Sequence, residues 1–417
     1  MSNFPSASPP VFPKDICIVG GAGHVGLPLG LAFADKGKRV VLFDTDIANM
    51  EKISAGLMPF VEYEAEPILK RVLNATLTLS SDIKSISTAR YIIIAVGTPV
   101  DEYLNPQLRA LLDLFDNFRP HLNSAQTIII RSTVYPRTCE KIMKNLSEGN
   151  HEPWRIAYCP ERIAQGYAVR ELKELPQLVA GLTPDALSDA ALLFSSISPK
   201  IICVPIGQAE LAKLFSNAWR YLQFAAANQF YMIAANLGVE FNQVRQAMID
   251  GYGRAASLPT AGFAAGPCLL KDTMQLSAFN NNNFMLGQAA MMVNEGMPSF
   301  IVESLLAKHD LTNMHVGILG MTFKADIDDI RDSLSYKLGK LLRFHGANVL
   351  YSDEFYYDHT FVTKEELVNH SDIVIIGAPH SNYKVLTVPH HVEIVDTWGI
   401  LPQRTGMAAL VPLTAVS

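Results

Sequence analysis

The sequence predicts an α/β protein in which two doubly wound domains are joined by a long central helix and a helical region. Short apolar runs alternate with helical patterns near the start of the chain and again near its end. Between them, residues 208–237 form an apolar-periodic stretch without Pro or Gly. With 417 residues, the chain is also too long for one ordinary core, so several domains are expected.

The first domain begins with a buried-strand pattern at residues 15–20, followed by a glycine-rich turn and a helical pattern over residues 27–36. Further strand patterns cover residues 39–44, 91–96 and 127–131. Strands that alternate with helices in this way form a parallel sheet.

The turn Gly21-Ala-Gly-His-Val-Gly26 lies between a strand and a helix, where a dinucleotide site needs it. Gly21 allows the tight turn, Gly23 lets a pyrophosphate approach, and Gly26 lets the helix pack on the strand. Asp44 ends the second strand, where a carboxylate accepts hydrogen bonds from the ribose and repels a 2′-phosphate. The pattern therefore predicts a Rossmann-like domain that binds NAD. The alternative is a similar turn that binds no nucleotide.

A second Rossmann-like domain without its own glycine pattern is expected near the end of the chain. Its strand patterns are residues 315–319, 347–351, 372–376 and 393–396, with a helix over residues 333–345. The expected organisation is a disordered tail at 1–14, an NAD-binding domain at 15–206, a central helical and dimerisation region at 207–311, and a C-terminal α/β domain at 312–417.

Composition excludes several classes of protein. A net charge of −6 argues against partners such as nucleic acid or a membrane surface, and no apolar run is long enough to span a bilayer. The first residues lack a secretory-signal pattern, and five cysteines are an odd number. We therefore expect a cytoplasmic protein without disulfides. No cysteine pair has the spacing of zinc ligands, so no metal is expected.

Cys268 follows Gly266-Pro267 and precedes a helical pattern. A helix N-terminus is expected to lower the thiol pKa, and Lys271 would act in the same direction. The alternative for any cysteine is a small core residue. The other cysteines fit that alternative: Cys17, Cys139, Cys159 and Cys203.

Several sequence blocks together resemble the UDP-glucose/GDP-mannose dehydrogenases, from about residue 15 to residue 398. The blocks are Gly21-Ala-Gly-His-Val-Gly26, Val96-Gly-Thr-Pro99, Ser132-Thr-Val134, Cys159-Pro-Glu-Arg162, Glu210-Leu-Ala-Lys-Leu-Phe-Ser-Asn217, Gly266-Pro-Cys268 with Lys271-Asp272, and Phe323-Lys-Ala-Asp-Ile-Asp-Asp-Ile-Arg331. The resemblance implies oxidation of the C6 hydroxymethyl group of a nucleotide sugar to the uronic acid with two NAD⁺. It also implies that the domain at 312–417 binds the nucleotide sugar, a UDP-sugar, and that the cysteine forms a thiohemiacetal and then a thioester. A homodimer or higher homo-oligomer and a place in polysaccharide biosynthesis are implied as well.

The resemblance assigns roles residue by residue. The implied catalytic residues are Cys268, Lys213, Asn217, Asp272, Glu161 and Thr133. The implied cofactor-binding residues are Gly21, Gly23, His24, Val25, Gly26, Asp44, Gly97, Thr98, Thr133, Lys271 and Arg331. The implied substrate-binding residues are Glu161, Arg162, Ile163, Lys213, Asn217, Arg254, Phe263, Gly266, Phe323 and Lys324. Taken one by one, Lys213 and Asn217 could form a solvated helix face, and Glu161 and Arg162 a surface ion pair.

Three departures from the family pattern stand out. Ala264 and Ala265 stand where the family loop is often glycine, which changes the expected pocket shape. Arg162-Ile163 replaces a common Phe-Leu and resembles the UDP-N-acetylhexosamine enzymes more than the UDP-glucose enzymes. Arg137 stands where relatives often have glycine, and the sequence assigns it no role.

Two alternative functions stay open on the sequence. One is a simple two-electron NAD-dependent dehydrogenase of the hydroxy-acid type, which shares the N-terminal fold but needs neither the cysteine nor a second α/β domain. The other is a non-catalytic protein that binds NAD or a nucleotide sugar.

Overall fold

The computed structural model of the chain describes residues 11–98, 101, 107–148 and 154–401. It divides into two compact units, unit 1 up to Phe215 and unit 2 from Ser216 onward. Most of the predicted disordered tail lies outside the described residues. The first strand begins at Lys14, within the range predicted as tail.

Within the described residues, unit 1 contains one eight-stranded sheet with strand order β3-β2-β1-β4-β5-β6-β7-β8. The strands are β1 (Lys14–Val19), β2 (Val40–Phe43), β3 (Leu77–Ser80), β4 (Ala89–Ile94), β5 (Thr127–Ile130), β6 (Arg155–Tyr158), β7 (Gln177–Gly181) and β8 (Ile201–Cys203). The predicted parallel sheet is confirmed for β1 to β6, whereas β7 pairs with β6 in the antiparallel direction.

Helices cover both faces of this sheet, and each face packs into its own hydrophobic core. The helices of unit 1 are α1 (Gly26–Asp35), α2 (Ile47–Ser54), α3 (Ala65–Val72), α4 (Leu108–Phe118), α5 (Thr138–Ser147), α6 (Ala168–Glu174) and α7 (Pro184–Phe194), with short 3₁₀ helices at Ile83–Thr88 and Arg119–His121. The sequence explains the bounds of α1: Pro28 lies in its first turn, where a missing N–H costs little, and Gly37 ends it at a φ of +81°.

The long central helix is confirmed as α8 (Ile206–Asn236), a helix of 31 residues. At 1.5 Å per residue it is about 46 Å long. Lys213 and Asn217 lie one turn apart on it, and both side chains are buried. A solvated helix face, the alternative weighed for this pair, is therefore wrong.

Within the described residues, unit 2 contains a parallel four-stranded sheet with order β10-β9-β11-β12, together with the helical region. Its strands are β9 (His315–Leu319), β10 (Asn348–Ser352), β11 (Ile373–Ile376) and β12 (Glu393–Val395). Its helices are α9 (Phe241–Ile249), α10 (Leu269–Phe279), α11 (Met285–Leu306), α12 (Leu334–Phe344) and α13 (Lys364–Asn369), with a 3₁₀ helix at Ser381–Val385. The predicted fold class is confirmed.

The cysteines divide differently from the prediction. Cys17, Cys139 and Cys159 are buried, as expected of packing residues. Burial raises the pKa of Cys17 and of Cys159 to about 12, so these thiols stay neutral. Cys203 is exposed, and its assignment as a packing residue is wrong because the short edge strand β8 leaves its side chain at the surface.

The structure gives Arg137 a position that the sequence left unexplained. It precedes α5 with a φ of +67°, in the left-handed region that favours glycine. Its backbone N–H donates to Glu210 Oε2 at 2.7 Å, and the N–H of Cys139 donates to Oε1 at 3.1 Å. Glu210 is a buried residue of α8, so its carboxylate caps the start of α5. The capped turn requires this backbone conformation.

Replacing Arg137 by glycine is predicted to stabilise the protein by about 0.5–1 kcal/mol, because glycine adopts a positive φ without the steric cost of a Cβ. Urea unfolding followed by circular dichroism measures the change. Arg137→Ala is the matched control, since it also removes the guanidinium but keeps the Cβ. Equal midpoints for the two variants would contradict the backbone explanation.

Candidate active site

Steric fit explains two glycines of the loop after β1. A Cβ on Gly26 would lie 2.1 Å from the carbonyl oxygen of Gly20, and a Cβ on Gly21 would lie 2.7 Å from the Cβ of Leu42. A Cβ on Gly23 would meet nothing closer than 3.6 Å. Packing therefore requires Gly21 and Gly26, whereas Gly23 faces open space where a pyrophosphate can approach.

Asp44 follows β2 and is hydrogen-bonded to the same loop. Its Oδ2 accepts from the N–H of Ala22 at 2.8 Å, and its Oδ1 accepts from the N–H of Asp46 at 3.0 Å. Val25 precedes α1, and the ring of His24 stacks on Phe60 with the ring centroids 4.0 Å apart. A fixed carboxylate, an open glycine and a helix N-terminus fit the ribose and pyrophosphate of NAD.

The loops after β4 and β5 line a mostly apolar cavity of about 260 Å³. Gly97, Thr98 and Thr133 lie in its wall, together with the first turns of α4. The hydroxyl of Ser132 donates to the carbonyl of Val96 at 2.6 Å and so joins the two loops. The cavity opens at the carboxyl ends of parallel strands, where ligands of doubly wound sheets bind. Pro99 of the predicted Val-Gly-Thr-Pro block lies outside the described residues.

Glu161 is paired with Arg131, which the sequence reasoning did not single out. Arg131 Nη2 lies 2.6 Å from Glu161 Oε2, and both side chains are buried. The same guanidinium donates to Gln177 Oε1 at 2.6 Å and lies over the ring of Phe194. The N–H of Ile163 donates to Glu161 Oε1 at 2.6 Å. The carboxylate is thus held from both sides in unit 1.

The surface ion pair weighed for Glu161 and Arg162 is therefore wrong, because the partner of Glu161 is Arg131 and the pair is buried. Arg162 instead donates to the carbonyl of Pro176. Burial and the charge of Arg131 lower the pKa of Arg162. In the sequence, Arg131 is distinguished only by its position as a charged residue directly after a strand of buried isoleucines.

Cys268 is the N-cap residue of α10, as the sequence predicted, and its side chain is exposed. One turn later, the buried Asp272 carboxylate accepts a hydrogen bond of 2.6 Å from Nδ2 of Asn217 on α8. Lys271 Nζ lies 3.9 Å from Asp272 Oδ1. Unit 2 thus brings the cysteine, an acid and an amide onto adjoining turns of two helices.

Arg331 lies near the same cysteine. It donates to Asp329 from Nε at 3.0 Å and from Nη2 at 2.5 Å. Hydrogen bonding to Asp329 raises the pKa of Arg331, and a thiolate at Cys268 adds to that effect. A fixed cation near a thiol favours the thiolate, which is the reactive form.

The loop before Cys268 is fitted against Phe323. Gly266 has a φ of +100°, and a Cβ on it would lie 2.5 Å from the Phe323 ring. Phe263 is buried in the core of unit 2, so its side chain is a packing residue in this structure. Ala264 packs in a second cluster with Tyr221, so its extra methyl is buried.

The remaining predicted residues are more scattered. Arg254 is exposed, with its guanidinium carbon 6.0 Å from the centre of the Tyr252 ring. Ile163 packs on a core of unit 1, and Lys324 is half-buried in unit 2. Thr133, Glu161 and Lys213 belong to unit 1. Asn217, Cys268, Asp272 and Arg331 belong to unit 2.

The described residues contain neither a cluster that could hold a metal ion nor a helix that could cross a membrane. No group of three or more His, Cys, Asp or Glu side chains is placed there to hold a metal ion. None of the helices in the described ranges is both long and apolar enough to cross a membrane.

Sequence models of three domains of one family match the chain in order. The NAD binding domain of the UDP-glucose/GDP-mannose dehydrogenase family matches residues 14–198. The central domain of that family matches residues 207–296, and its UDP binding domain matches residues 317–403.

Individual relatives agree with this match. The UDP-N-acetyl-D-mannosamine dehydrogenase of Pyrococcus horikoshii is 28% identical over 87% of this chain and 89% of its own. The UDP-glucose 6-dehydrogenase of Rickettsia bellii is 25% identical over 93% of this chain and 95% of its own. A solved structure of UDP-D-ManNAc dehydrogenase from Pyrococcus horikoshii superposes with a TM-score of 0.86, at 26% identity, over 94% of this chain and 96% of that chain.

These matches cover the glycine loop, the long helix with the cysteine segment, and the C-terminal sheet. The predicted NAD cofactor is confirmed by the match to the NAD binding domain of the family. The chain therefore belongs to the UDP-glucose/GDP-mannose dehydrogenase family.

Proposed function

We propose that the chain oxidises the C6 hydroxymethyl group of a nucleotide sugar to a carboxylate, in a four-electron reaction that consumes two NAD⁺. The observation that carries this proposal is the position of Cys268 at the start of α10, with Arg331 in electrostatic range. A two-electron alcohol oxidation needs no nucleophile. A four-electron oxidation has to retain an aldehyde between its two halves, and a cysteine can do this covalently.

NAD⁺, when bound, supplies the acceptor for the hydride that leaves C6 in each oxidation. The Cys268 sulfur forms a bond to the aldehyde carbon, and the carbonyl electron pair moves to oxygen, which gives a thiohemiacetal. Loss of hydride from that carbon leaves a thioester. Water then adds, the C–S bond breaks, and the carboxylic acid leaves while the thiol is restored.

Other side chains have separate tasks in this proposal. Lys213 and Asn217 stabilise the negative oxygen that forms when sulfur or water adds to the carbonyl. Asp272 accepts a proton from the attacking water, and the Asn217 amide holds its carboxylate in one orientation. Glu161 is held by Arg131, so we assign it the task of fixing water and substrate hydroxyls together with Thr133.

The proposed substrate is a UDP-N-acetylhexosamine, with UDP-glucose as the alternative. The Arg162-Ile163 pair favours a UDP-N-acetylhexosamine over UDP-glucose, as do relatives that are named UDP-N-acetyl-D-mannosamine dehydrogenase. In this proposal Phe323 and Lys324 face the nucleotide of the substrate, and both lie within the range that matches the UDP binding domain. We also propose a cytoplasmic location, which the five free cysteines support.

We further propose that the chain forms a homodimer through α8. Large apolar side chains of α8 in unit 2, together with that of the residue directly after the helix, recur at spacings of 11, 3 and 4 residues, which places them along one stripe. They are Trp219, Phe230 and Ile233 in α8 and Leu237 after it, with exposed fractions between 42% and 70%. A second copy offers the same stripe, so the two stripes can cover each other about a twofold axis. Exposed apolar stripes of this kind mark interaction surfaces.

Cys268→Ser is predicted to lower turnover of UDP-N-acetylmannosamine by about 10³-fold or more, because a serine hydroxyl is a far weaker nucleophile at neutral pH. Absorbance of NADH measures the rate. Intact-mass analysis of the unmodified enzyme during turnover should show an adduct that the variant lacks. Cys203→Ser is the control, since it makes the same change at another exposed cysteine. Wild-type turnover in Cys268→Ser would contradict covalent capture.

Ile233→Glu is predicted to convert the dimer into a monomer, because two charges would have to be buried where the stripes meet. Light scattering coupled to size exclusion gives the mass. Phe344→Glu is the matched control, since this exposed phenylalanine lies on α12 instead of α8. A monomeric unmodified protein, or an unchanged dimer in Ile233→Glu, would overturn the proposed interface.

A further inference from the structure

A buried histidine in unit 2 takes no part in the chemistry described above. His380 follows β11 and has no exposed surface. Its Nε2 lies 3.1 Å from Asp353 Oδ2, and its Nδ1 accepts from the backbone N–H of Asp326 at 2.9 Å. An N–H can only donate, so Nδ1 carries no proton. The ring proton is then on Nε2, and it points to Asp353.

Asp353 occupies the position in unit 2 that Asp44 occupies in unit 1. Each acid follows the strand that pairs with the first strand of its sheet: β2 beside β1, and β10 beside β9. Each accepts a hydrogen bond from the loop after that first strand, from Ala22 in unit 1 and from Met321 in unit 2. The two acids are therefore topologically equivalent.

The surroundings of Asp353 and Asp44 differ, so that Asp353 cannot bind a ribose as Asp44 can. The Asp353 side chain has no exposed surface. Its two oxygens accept from four backbone N–H groups besides His380, and the distances lie between 2.6 and 3.0 Å. Burial alone would raise its pKa, but His380 and these N–H groups hold the pKa of Asp353 below its usual value. The carboxylate is charged, and no lone pair is left for a ribose.

Three of the backbone donors to this pair lie at the two ends of one short loop, the loop after β9. Asp353 binds the N–H groups of Met321 and Thr322 at the start, and His380 binds the N–H of Asp326 at the end. The Thr322 hydroxyl lies 3.3 Å from His380 Nε2 and donates to the carbonyl of Lys324 at 3.0 Å. Asp326 has a φ of +58°, a conformation that an unsupported chain rarely adopts. Phe323 and Lys324 lie between the two fixed ends.

We propose that His380 is a positioning residue which, together with Asp353, fixes the loop of Phe323 and Lys324 for the nucleoside diphosphate part of the substrate. The inference rests on the proposed function in one respect, namely that this loop contacts the nucleotide. It adds a role for two buried residues that lie behind the loop. Their effect is on affinity for the nucleotide and not on the reaction at Cys268.

Among the described residues, the polar partners of the His380 imidazole are Asp353, Asp326 and Thr322. The rings of Phe355 and Tyr383 lie 4.9 and 5.3 Å from it, centre to centre. The facing charges are those of Asp353 and Asp326, and the next acid, Glu354, is paired with Lys364 at 2.8 Å. The imidazole is therefore a specific link between β10, β11 and the loop after β9.

The test measures binding of UDP alone to the full chain by titration calorimetry. His380→Gln keeps a polar group near Asp353 but loses the acceptor for Asp326, whereas His380→Asn keeps an acceptor at the Nδ1 position. We expect UDP to bind about tenfold more weakly to His380→Gln, with His380→Asn in between. Binding of NAD⁺ should be unchanged in both variants.

Two further variants keep the test decisive if a change at His380 prevents folding. Thr322→Val keeps the shape but removes the hydroxyl that links the pair to Lys324, and it should also weaken UDP binding. Tyr383→Phe is the matched control, because the buried Tyr383 hydroxyl has no hydrogen-bond partner among the described residues. It should bind UDP as the unmodified chain does.

The outcomes distinguish a failure of the positioning role of His380 from a failure of the proposed nucleotide-sugar substrate. Unchanged UDP affinity in folded His380→Gln or in Thr322→Val would overturn the positioning role. An unmodified chain that binds NAD⁺ but no UDP would instead overturn the proposed nucleotide-sugar substrate. Equal losses for UDP and NAD⁺ would indicate general unfolding and would also count against a positioning role.

Discussion

A steric constraint on the cysteine loop underlies the proposed chemistry of unit 2. At Gly262, with a φ of +148°, a Cβ would lie 2.4 Å from the Trp398 indole, and at Gly266 it would lie 2.5 Å from the Phe323 ring. The N–H of Gly262 also donates to the buried Asn228 on α8 at 2.8 Å. The loop is thus fitted to aromatic residues that follow strands of the C-terminal sheet, and Cys268 is placed by that sheet as well as by α10.

Several buried carboxylates are held in place by hydrogen-bond donors and cations of the protein. Glu161 is held by Arg131, and Asp272 is held by the amide of Asn217. Asp353 is held by His380 and by backbone N–H groups. In each case the donors are fixed before any ligand arrives, so the acid does not have to reorganise when charge develops near it. The same hydrogen bonds and ion pairs compensate the desolvation of the carboxylates, which explains why these charged groups are tolerated at buried positions.

Much of the fold could be predicted from the sequence because its signals are local. The spacing of Gly21, Gly23 and Gly26 predicts a strand, a turn and a helix within a few residues. The uninterrupted apolar period of residues 208–237 predicts α8, and the pattern at residues 315–319 predicts β9 with its observed bounds. The position of Cys268 at a helix start could be predicted for the same reason.

Other features depend on contacts between residues far apart in the chain, which a single sequence does not reveal. Arg131 and Glu161 are 30 positions apart, and Asp353 and His380 are 27 apart. The reversed direction of β7 depends on its pairing with β6, and the exposure of Cys203 depends on the edge position of β8. The positive φ of Arg137 depends on Glu210, which lies 73 residues later.

In the proposed reaction, one active site carries out two successive oxidations at the same carbon. The most direct measurement is the number of NADH molecules formed per molecule of UDP-N-acetylhexosamine or UDP-glucose consumed, with sugar limiting and the product identified by mass. A four-electron oxidation yields two NADH and a uronic acid for each sugar, with no free aldehyde. One NADH per sugar, with an aldehyde or ketone as the product, would contradict it.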